Sequence, residues 1–65
     1  MNAAERILAD AGPTVSVPEA AQVLGISEWL AYKLINRGEF PAKVLPLGAR
    51  KRVSTASLRG LLAAA

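Results

Sequence analysis

The sequence predicts a mostly α-helical fold with a small β-hairpin. Residues 16–42 have the pattern of two short helices joined by a tight turn at Gly25-Ile26, which is typical of a helix-turn-helix motif. Two short β-prone segments follow, separated by a glycine-containing tip. With 65 residues, the chain is short enough for one small domain over residues 1–65, and we expect no division within it.

The first predicted helix covers residues 2–11. Asn2 is a suitable N-cap because its side chain can accept a hydrogen bond from the first turn. Gly12-Pro13 would end the helix. Its apolar residues recur at helical spacing and form one stripe: Ala3, Ala4, Ile7, Leu8 and Ala11.

The second predicted helix begins with a capping box. The Ser16 hydroxyl and the Glu19 carboxylate can each accept from the other residue's backbone N–H, and Pro18 falls in the first turn, where its missing N–H costs nothing. The helix continues through Leu24, and Gly25 suits the left-handed position that follows. We expect three residues to face inward: Ala20, Ala21 and Leu24.

The third predicted helix is capped by Ser27, runs to about Arg37 and ends at Gly38. Ile26 is expected to fill the corner between the second and third helices. The inner face would consist of Leu30, Ala31, Leu34 and Ile35. The outer face would present Glu28, Trp29, Tyr32, Lys33, Asn36 and Arg37.

The hairpin is predicted as strands at residues 43–47 and 52–54, with residues 48–51 as the tip. Pro46 indicates an edge strand or an irregularity. Ser54 or Thr55 would cap a last helix, at about residues 55–63, with its leucines inward: Leu58, Leu61 and Leu62. A hairpin after a recognition helix is a wing, so we expect a winged helix-turn-helix, with the helix-turn-helix at about 16–37 and the wing at about 43–54.

Charge is divided unevenly along the chain. Up to Glu28, one base stands against four acids, for a net charge of −3, whereas seven bases and one acid give +6 from Trp29 onward. This asymmetry favours a polyanionic partner for the second half, and a solubilising surface is the alternative.

Several enzyme and membrane classes are disfavoured. The chain has no histidine and no cysteine, which removes the commonest general base and the usual metal ligands, so we expect no catalysis, cofactor or metal. It also lacks an apolar run of the roughly 20 residues that a membrane helix needs. The N-terminal segment has no signal-peptide pattern, and a cytoplasmic protein is expected from these absences.

Six short motifs occur in order over about residues 15–62. They are Ser16, Glu19-Ala20-Ala21, Leu24-Gly25-Ile26-Ser27, Tyr32-Lys33-Leu34-Ile35, Gly38-Glu39-Phe40-Pro41-Ala42 and Gly48-Ala49-Arg50-Lys51-Arg52-Val53. With these motifs the chain resembles the phage excisionases, or recombination directionality factors, of the MerR-like winged helix-turn-helix superfamily. One departure is Glu28-Trp29, where the family often has basic residues.

The resemblance implies a sequence-specific DNA-binding excisionase. Such proteins bind attachment-site DNA cooperatively and head to tail, bend it, and direct a tyrosine integrase toward prophage excision. One alternative is a small MerR-like transcriptional regulator that binds an operator, although the lack of a long dimerisation helix after Leu62 disfavours the standard dimeric type. A less favoured alternative is a protein-interaction adaptor, for which Glu28 and Trp29 are the best support.

Nine residues are candidates for DNA contact: Ser27, Glu28, Trp29, Tyr32, Lys33, Arg37, Arg50, Lys51 and Arg52. On the helix, Lys33 and Arg37 suit phosphates or bases, and Ser27 is a cap that can also bind phosphate. Glu28 is unfavourable near phosphates unless it accepts from a cytosine amino group.

The aromatic candidates leave more than one role open. Tyr32 could contact a phosphate or a thymine methyl group, or belong partly to the core. Trp29 could meet DNA, a neighbouring protomer or the N-terminal helix, since an exposed tryptophan is costly unless something covers it.

In the wing, Arg50 and Lys51 lie nearest the tip and Arg52 in the strand. Strand alternation places Arg50 and Arg52 on one face, with Lys51 and Val53 of the opposite parity. Arg50 is the favoured groove probe. Arg59, on the last helix, is expected to be plainly exposed to solvent.

Overall fold

The structure, a computed structural model, describes residues 2–64 and contains four helices and three strands in that range. The elements in chain order are α1 (Ala3–Asp10), β1 (Thr14–Ser16), α2 (Val17–Leu24), α3 (Glu28–Asn36), β2 (Val44–Leu47), β3 (Arg50–Ser54) and α4 (Thr55–Ala64). The predicted fold class is confirmed: helices α2 and α3 form a helix-turn-helix, and β2 and β3 form a wing beside it.

Two N-terminal caps match the prediction. The backbone N–H of Glu5 donates to Asn2 Oδ1 over 2.8 Å at the start of α1. At the start of α2, the Glu19 N–H donates to Ser16 Oγ over 3.2 Å, and the Ser16 N–H donates to Glu19 Oε1 over 3.0 Å. The capping box therefore satisfies donors that the first helical turn cannot pair internally.

The turn between α2 and α3 depends on Gly25. Its φ is +71°, and its backbone N–H donates to the carbonyls of Ala21 and Gln22. The Ile26 N–H then donates to the Ala21 carbonyl over 3.0 Å, and Ile26 packs half-buried against the core. The left-handed glycine thus ends α2 and turns the chain toward Ser27, as predicted.

Helix α3 is capped by Ser27, whose Oγ accepts from the Leu30 N–H over 3.0 Å. The helix ends at Asn36, and Arg37 is its C-cap, one residue earlier than predicted. Gly38 follows with a φ of +70°. The Glu39 N–H returns to the Leu34 carbonyl over 2.8 Å, so the chain folds back under the end of the helix.

Strand β1 was not predicted. It forms one edge of an antiparallel sheet with the order β1-β3-β2, and Val15 pairs with Val53. Three residues are too few to show a strand periodicity, and Ser16 carries a helix-capping signal. The strand matters because it attaches the base of the wing to the segment that enters α2.

The wing differs from the prediction at its tip. Arg50 and Lys51 were expected in the tip, but both belong to β3, and the turn consists of Gly48 and Ala49 alone. Of these two residues, Gly48 has a positive φ, at +64°, and Ala49 does not, which fits a two-residue type II′ hairpin turn. Pro46 lies in the edge strand β2, as expected.

Helix α4 is capped by Ser54, whose Oγ accepts from the Ser57 N–H over 3.2 Å. Thr55, the other candidate cap, is buried, and its hydroxyl donates to the Gly12 carbonyl over 2.8 Å. Leu58 is fully buried and Leu61 half-buried, but Leu62 is 41% exposed, so the prediction that it faces inward was wrong. The last turns of α4 extend beyond the surface that the sheet provides.

The core lies between the sheet and helices α2, α3 and α4. Its buried residues are Val15, Val17, Ala20, Ala21, Ala31, Ala42, Val53 and Leu58. Ala31 alone of the predicted inner face of α3 is fully buried, whereas Leu30, Leu34 and Ile35 are half-buried. Small alanines at the α2–α3 contact let the two helices approach closely and leave the opposite side of α3 outside the core.

Arg59 is exposed to solvent, as predicted. Its Nη2 also donates to the Leu8 carbonyl near the end of α1 over 2.6 Å. The free carbonyls at a helix C-terminus favour a cation, so this contact joins α4 to α1.

Candidate nucleic-acid interface

The outer face of α3 is exposed to solvent. It carries two aromatic side chains, Trp29 and Tyr32, which are 70% and 40% exposed. The face forms a shallow surface hollow whose lining is mixed aromatic, cationic and amide: Trp29, Tyr32, Lys33, Asn36 and Arg37. All five were predicted on this face, and the structure brings them together.

Trp29 and Lys33 form a pair one helical turn apart. The Lys33 ammonium lies 4.8 Å from the centre of the Trp29 ring, within the range of a cation–π contact. The contact restrains both side chains and keeps a positive charge beside the indole. The helix spacing could have predicted this pair, since residues i and i+4 are neighbours on a helix.

The positive charge of Arg37 is partly compensated by a nearby carboxylate. Its Nε lies 3.4 Å from Glu39 Oε1, and both side chains are more than half exposed. An exposed pair of this kind contributes little to stability, so Arg37 can exchange the carboxylate for a phosphate at small cost. Sequence reasoning missed the pair, because the left-handed backbone of Gly38 is what brings Glu39 back to the helix end.

The wing lies close to helix α3. Lys51 Nζ donates to Asn36 Oδ1 over 3.3 Å, which joins β3 to the last turn of α3. Arg50 is exposed opposite Leu47, next to the turn. A second hollow contains Tyr32 of α3 together with the basic residues of the wing; it is lined by Ser16, Val17, Pro18, Tyr32, Ala49, Arg50, Lys51 and Arg52.

Arg52 differs from the other wing bases. It is half-buried, its Nε donates to Thr14 Oγ1 over 3.2 Å, and its Nη2 donates to the Thr14 carbonyl over 3.4 Å. Its guanidinium therefore ties β3 to β1. The positive charge of Arg52, after the two hydrogen bonds from Ser16, also contributes to lowering the pKa of the Glu19 carboxyl below its ordinary value.

Ser27 and Glu28 lie exposed at the N-terminus of α3. Ser27 Oγ uses one lone pair to cap the Leu30 N–H, and its own O–H remains able to donate. Glu28 places a carboxylate in the first turn, where a helix favours negative charge. Both residues thus begin the helix whose outer face carries two bases and two aromatic residues, Lys33, Arg37, Trp29 and Tyr32, beside the exposed wing.

An exposed recognition helix with a basic hairpin beside it defines the class of winged helix-turn-helix DNA-binding domains. The family model described as a helix-turn-helix domain matches residues 14–65, and the chain belongs to this family. The family is a DNA-binding domain found in excisionase-like proteins and is typically non-enzymatic. Neither the curated proteins nor the solved structures that were compared contain a match to the chain.

The match begins at Thr14, the first residue of β1, and therefore includes every element from that strand onward. Helix α1 precedes it. Over residues 2–64, no helix combines the length and the apolar character that crossing a bilayer requires.

Proposed function

We propose that the protein is an excisionase-type architectural DNA-binding protein. It binds attachment-site DNA in several adjacent copies, bends the DNA, and directs a tyrosine integrase toward excision of a prophage. The observation that supports this most is the single surface formed by the outer face of α3 and the basic wing, in a domain family found in excisionase-like proteins.

In this proposal α3 enters the major groove with its N-terminal end near the bases. Lys33 and Arg37 contact phosphates or base edges, and Tyr32 contacts a phosphate or a thymine methyl group. Ser27 donates to a phosphate at the helix N-terminus, where the backbone dipoles favour anions. Glu28 accepts a hydrogen bond from a cytosine amino group, which is the DNA contact that suits a carboxylate.

The wing supplies the second point of contact. Arg50 reaches into the adjacent minor groove and Lys51 lies at the neighbouring phosphates, since both are exposed at the distal end of the hairpin. Arg52 supports the wing through Thr14 and adds to its positive potential. Basic groups in two successive grooves on one side of the duplex favour DNA that curves toward the protein, which is the basis for the proposed bend.

The first experiment is a gel-shift titration on an attachment-site fragment and on a random fragment of equal length, at two salt concentrations. The proposal predicts successive shifted complexes on the attachment site alone, and an increase of excision when the integrase is added. Site-specific binding without an effect on excision would instead indicate a transcriptional regulator at an operator. Equal binding to both fragments would contradict the proposed specificity.

A matched pair of charge reversals controls for net charge. Lys33→Glu changes the proposed interface, and Arg6→Glu makes the same charge change on α1, at an exposed position. The proposal predicts that Lys33→Glu strongly weakens DNA binding and that Arg6→Glu has a small effect. If the Lys33, Arg37 and Arg50 reversals together left function intact, the protein would be an interaction adaptor instead.

A further inference from the structure

Trp29 is the largest apolar side chain that the described part of the chain leaves outside the core. It is 70% exposed and lies in the first turn of α3, so helix α1 does not cover it. Since an exposed indole carries an unfavourable hydration cost, its position at the start of a recognition helix calls for a partner that binds there.

The surroundings of Trp29 indicate the chemistry of that partner. The Lys33 ammonium lies over one face of the ring at 4.8 Å, and Arg37 lies in the same hollow. These cations favour a polyanion over an apolar protein surface. The indole itself is almost entirely apolar, with one N–H donor and no acceptor, so it needs an apolar group within that polyanion.

The major groove of DNA offers one apolar group, the C5 methyl of thymine. We propose that Trp29 is a specificity-determining residue that packs against a thymine methyl group, while Lys33 holds the other face of the ring and binds a nearby phosphate. This inference rests on the proposed DNA-binding function. It assigns the aromatic residue, in addition to the charged ones, to sequence readout.

The test replaces thymine by uracil, which removes the methyl group and keeps the hydrogen-bonding pattern. The preferred duplex is first selected from a randomised pool with the unaltered protein. Each thymine is then replaced in turn, and affinity is measured for the unaltered protein, Trp29→Ala, Trp29→Phe and Leu62→Ala. Leu62 is the matched control, because it is an exposed large apolar residue on α4, outside the proposed interface.

The unaltered protein and Leu62→Ala should lose about fourfold in affinity on removal of the methyl group at one position, the effect of burying one such group. Trp29→Ala should bind the thymine and uracil duplexes equally. Trp29→Phe should keep most of the discrimination, since it retains an aromatic face. Circular dichroism will show that each variant is folded, as expected for exposed positions.

Three results would overturn the inference while leaving DNA binding in place. They are equal binding of every uracil duplex by the unaltered protein, persistent discrimination by Trp29→Ala, and complete loss of discrimination in Trp29→Phe, which would show that an aromatic face does not account for the methyl contact. A different failure would be that the selection yields no preferred sequence at all. It would refute sequence-specific binding in the proposed function and the role of Trp29 with it.

Discussion

Lys51 donates a hydrogen bond from its ammonium to Asn36 Oδ1 over 3.3 Å and so connects the wing to the end of the recognition helix. The two residues are far apart along the chain, and each lies on an element that we propose to contact DNA. Their contact adds a restraint on the hairpin relative to α3 before DNA binds. A pre-set arrangement lowers the ordering cost that binding would otherwise carry.

Asn36→Ala should therefore weaken DNA binding without removing a charge. We expect a loss of about threefold in affinity, toward the lower end of what one hydrogen bond contributes. Fluorescence-anisotropy titrations at several salt concentrations would measure it. The slope of log K against log salt should stay unchanged, because no phosphate contact is lost. A shallower slope would show instead that the substitution disrupts phosphate binding.

Neutralising Lys33 should change the salt dependence itself. If its ammonium neutralises one phosphate, Lys33→Gln should make the slope of log K against log salt shallower by about 0.9. Arg6→Gln, on α1, serves as the control and should leave the slope unaltered. The idea would fail if both variants changed the slope equally, since the effect would then reflect net charge alone.

The same substitution, glycine to alanine, should have opposite effects on stability at Gly25 and at Gly60. Gly25→Ala should destabilise the fold by about 1 kcal/mol, because Gly25 has a φ of +71° that disfavours any Cβ. Gly60→Ala should stabilise it by about 1 kcal/mol, because Gly60 lies within helix α4. An added Cβ would meet no atom within 4 Å at either site, so backbone conformation alone separates them. Urea unfolding of both variants provides the measurement. Changes of the same sign in the free energy of unfolding would contradict the turn geometry.

The capping box makes stability depend on pH. Two hydrogen bonds from Ser16 lower the pKa of the Glu19 carboxyl below its ordinary value of 4.5. The folded state thus favours the ionised form, and this contribution is fully present above pH 4.5 and lost as the pH falls below that value through the folded-state pKa. Urea unfolding at neutral pH and well below pH 4.5 should show a smaller acid loss in Glu19→Gln than in the unaltered protein. An identical loss would refute the assignment.

Substitutions at Arg52 and Arg50 should change two different properties, the stability of the fold and the affinity for DNA. Arg52→Gln removes two hydrogen bonds to Thr14, one to its hydroxyl and one to its carbonyl, and should lower the free energy of unfolding by about 1 kcal/mol. Arg50→Gln should leave stability unchanged and weaken DNA binding. Thermal unfolding and DNA titration of the two variants would check both properties. Unchanged DNA binding by Arg50→Gln would exclude it as the groove probe.

The caps and turns could be predicted from the sequence because each depends on residues close together in the chain. Ser16 with Glu19, Gly25 and Ser27 follow local rules that hold in almost any surroundings. Two of the missed contacts are long-range: Thr14 with Arg52 across 38 residues and Leu8 with Arg59 across 51 residues. Strand β1 belongs to this second group, since three residues become a strand only when β3 pairs with them.

The candidate site could also be predicted only in part. The outer face of α3 could be predicted, because helical periodicity alone decides which residues share it. The tip of the wing could not, because the two-residue turn at Gly48 and Ala49 extends β3 back to Arg50. Sequence alone also does not show that Arg52 is held by Thr14, so it counted Arg52 with Arg50 and Lys51 among the candidates for DNA contact.

Pro46 lies in β2, the strand at the outer edge of the sheet, and it has no backbone N–H to offer a neighbour. The binding of several adjacent copies that we propose would bring molecules close to one another on the DNA. An unbroken edge strand would then be a template for intermolecular β-pairing and aggregation. The proline removes a donor from that edge, and so disfavours fusion of adjacent molecules through their sheets while leaving the basic surface available for DNA.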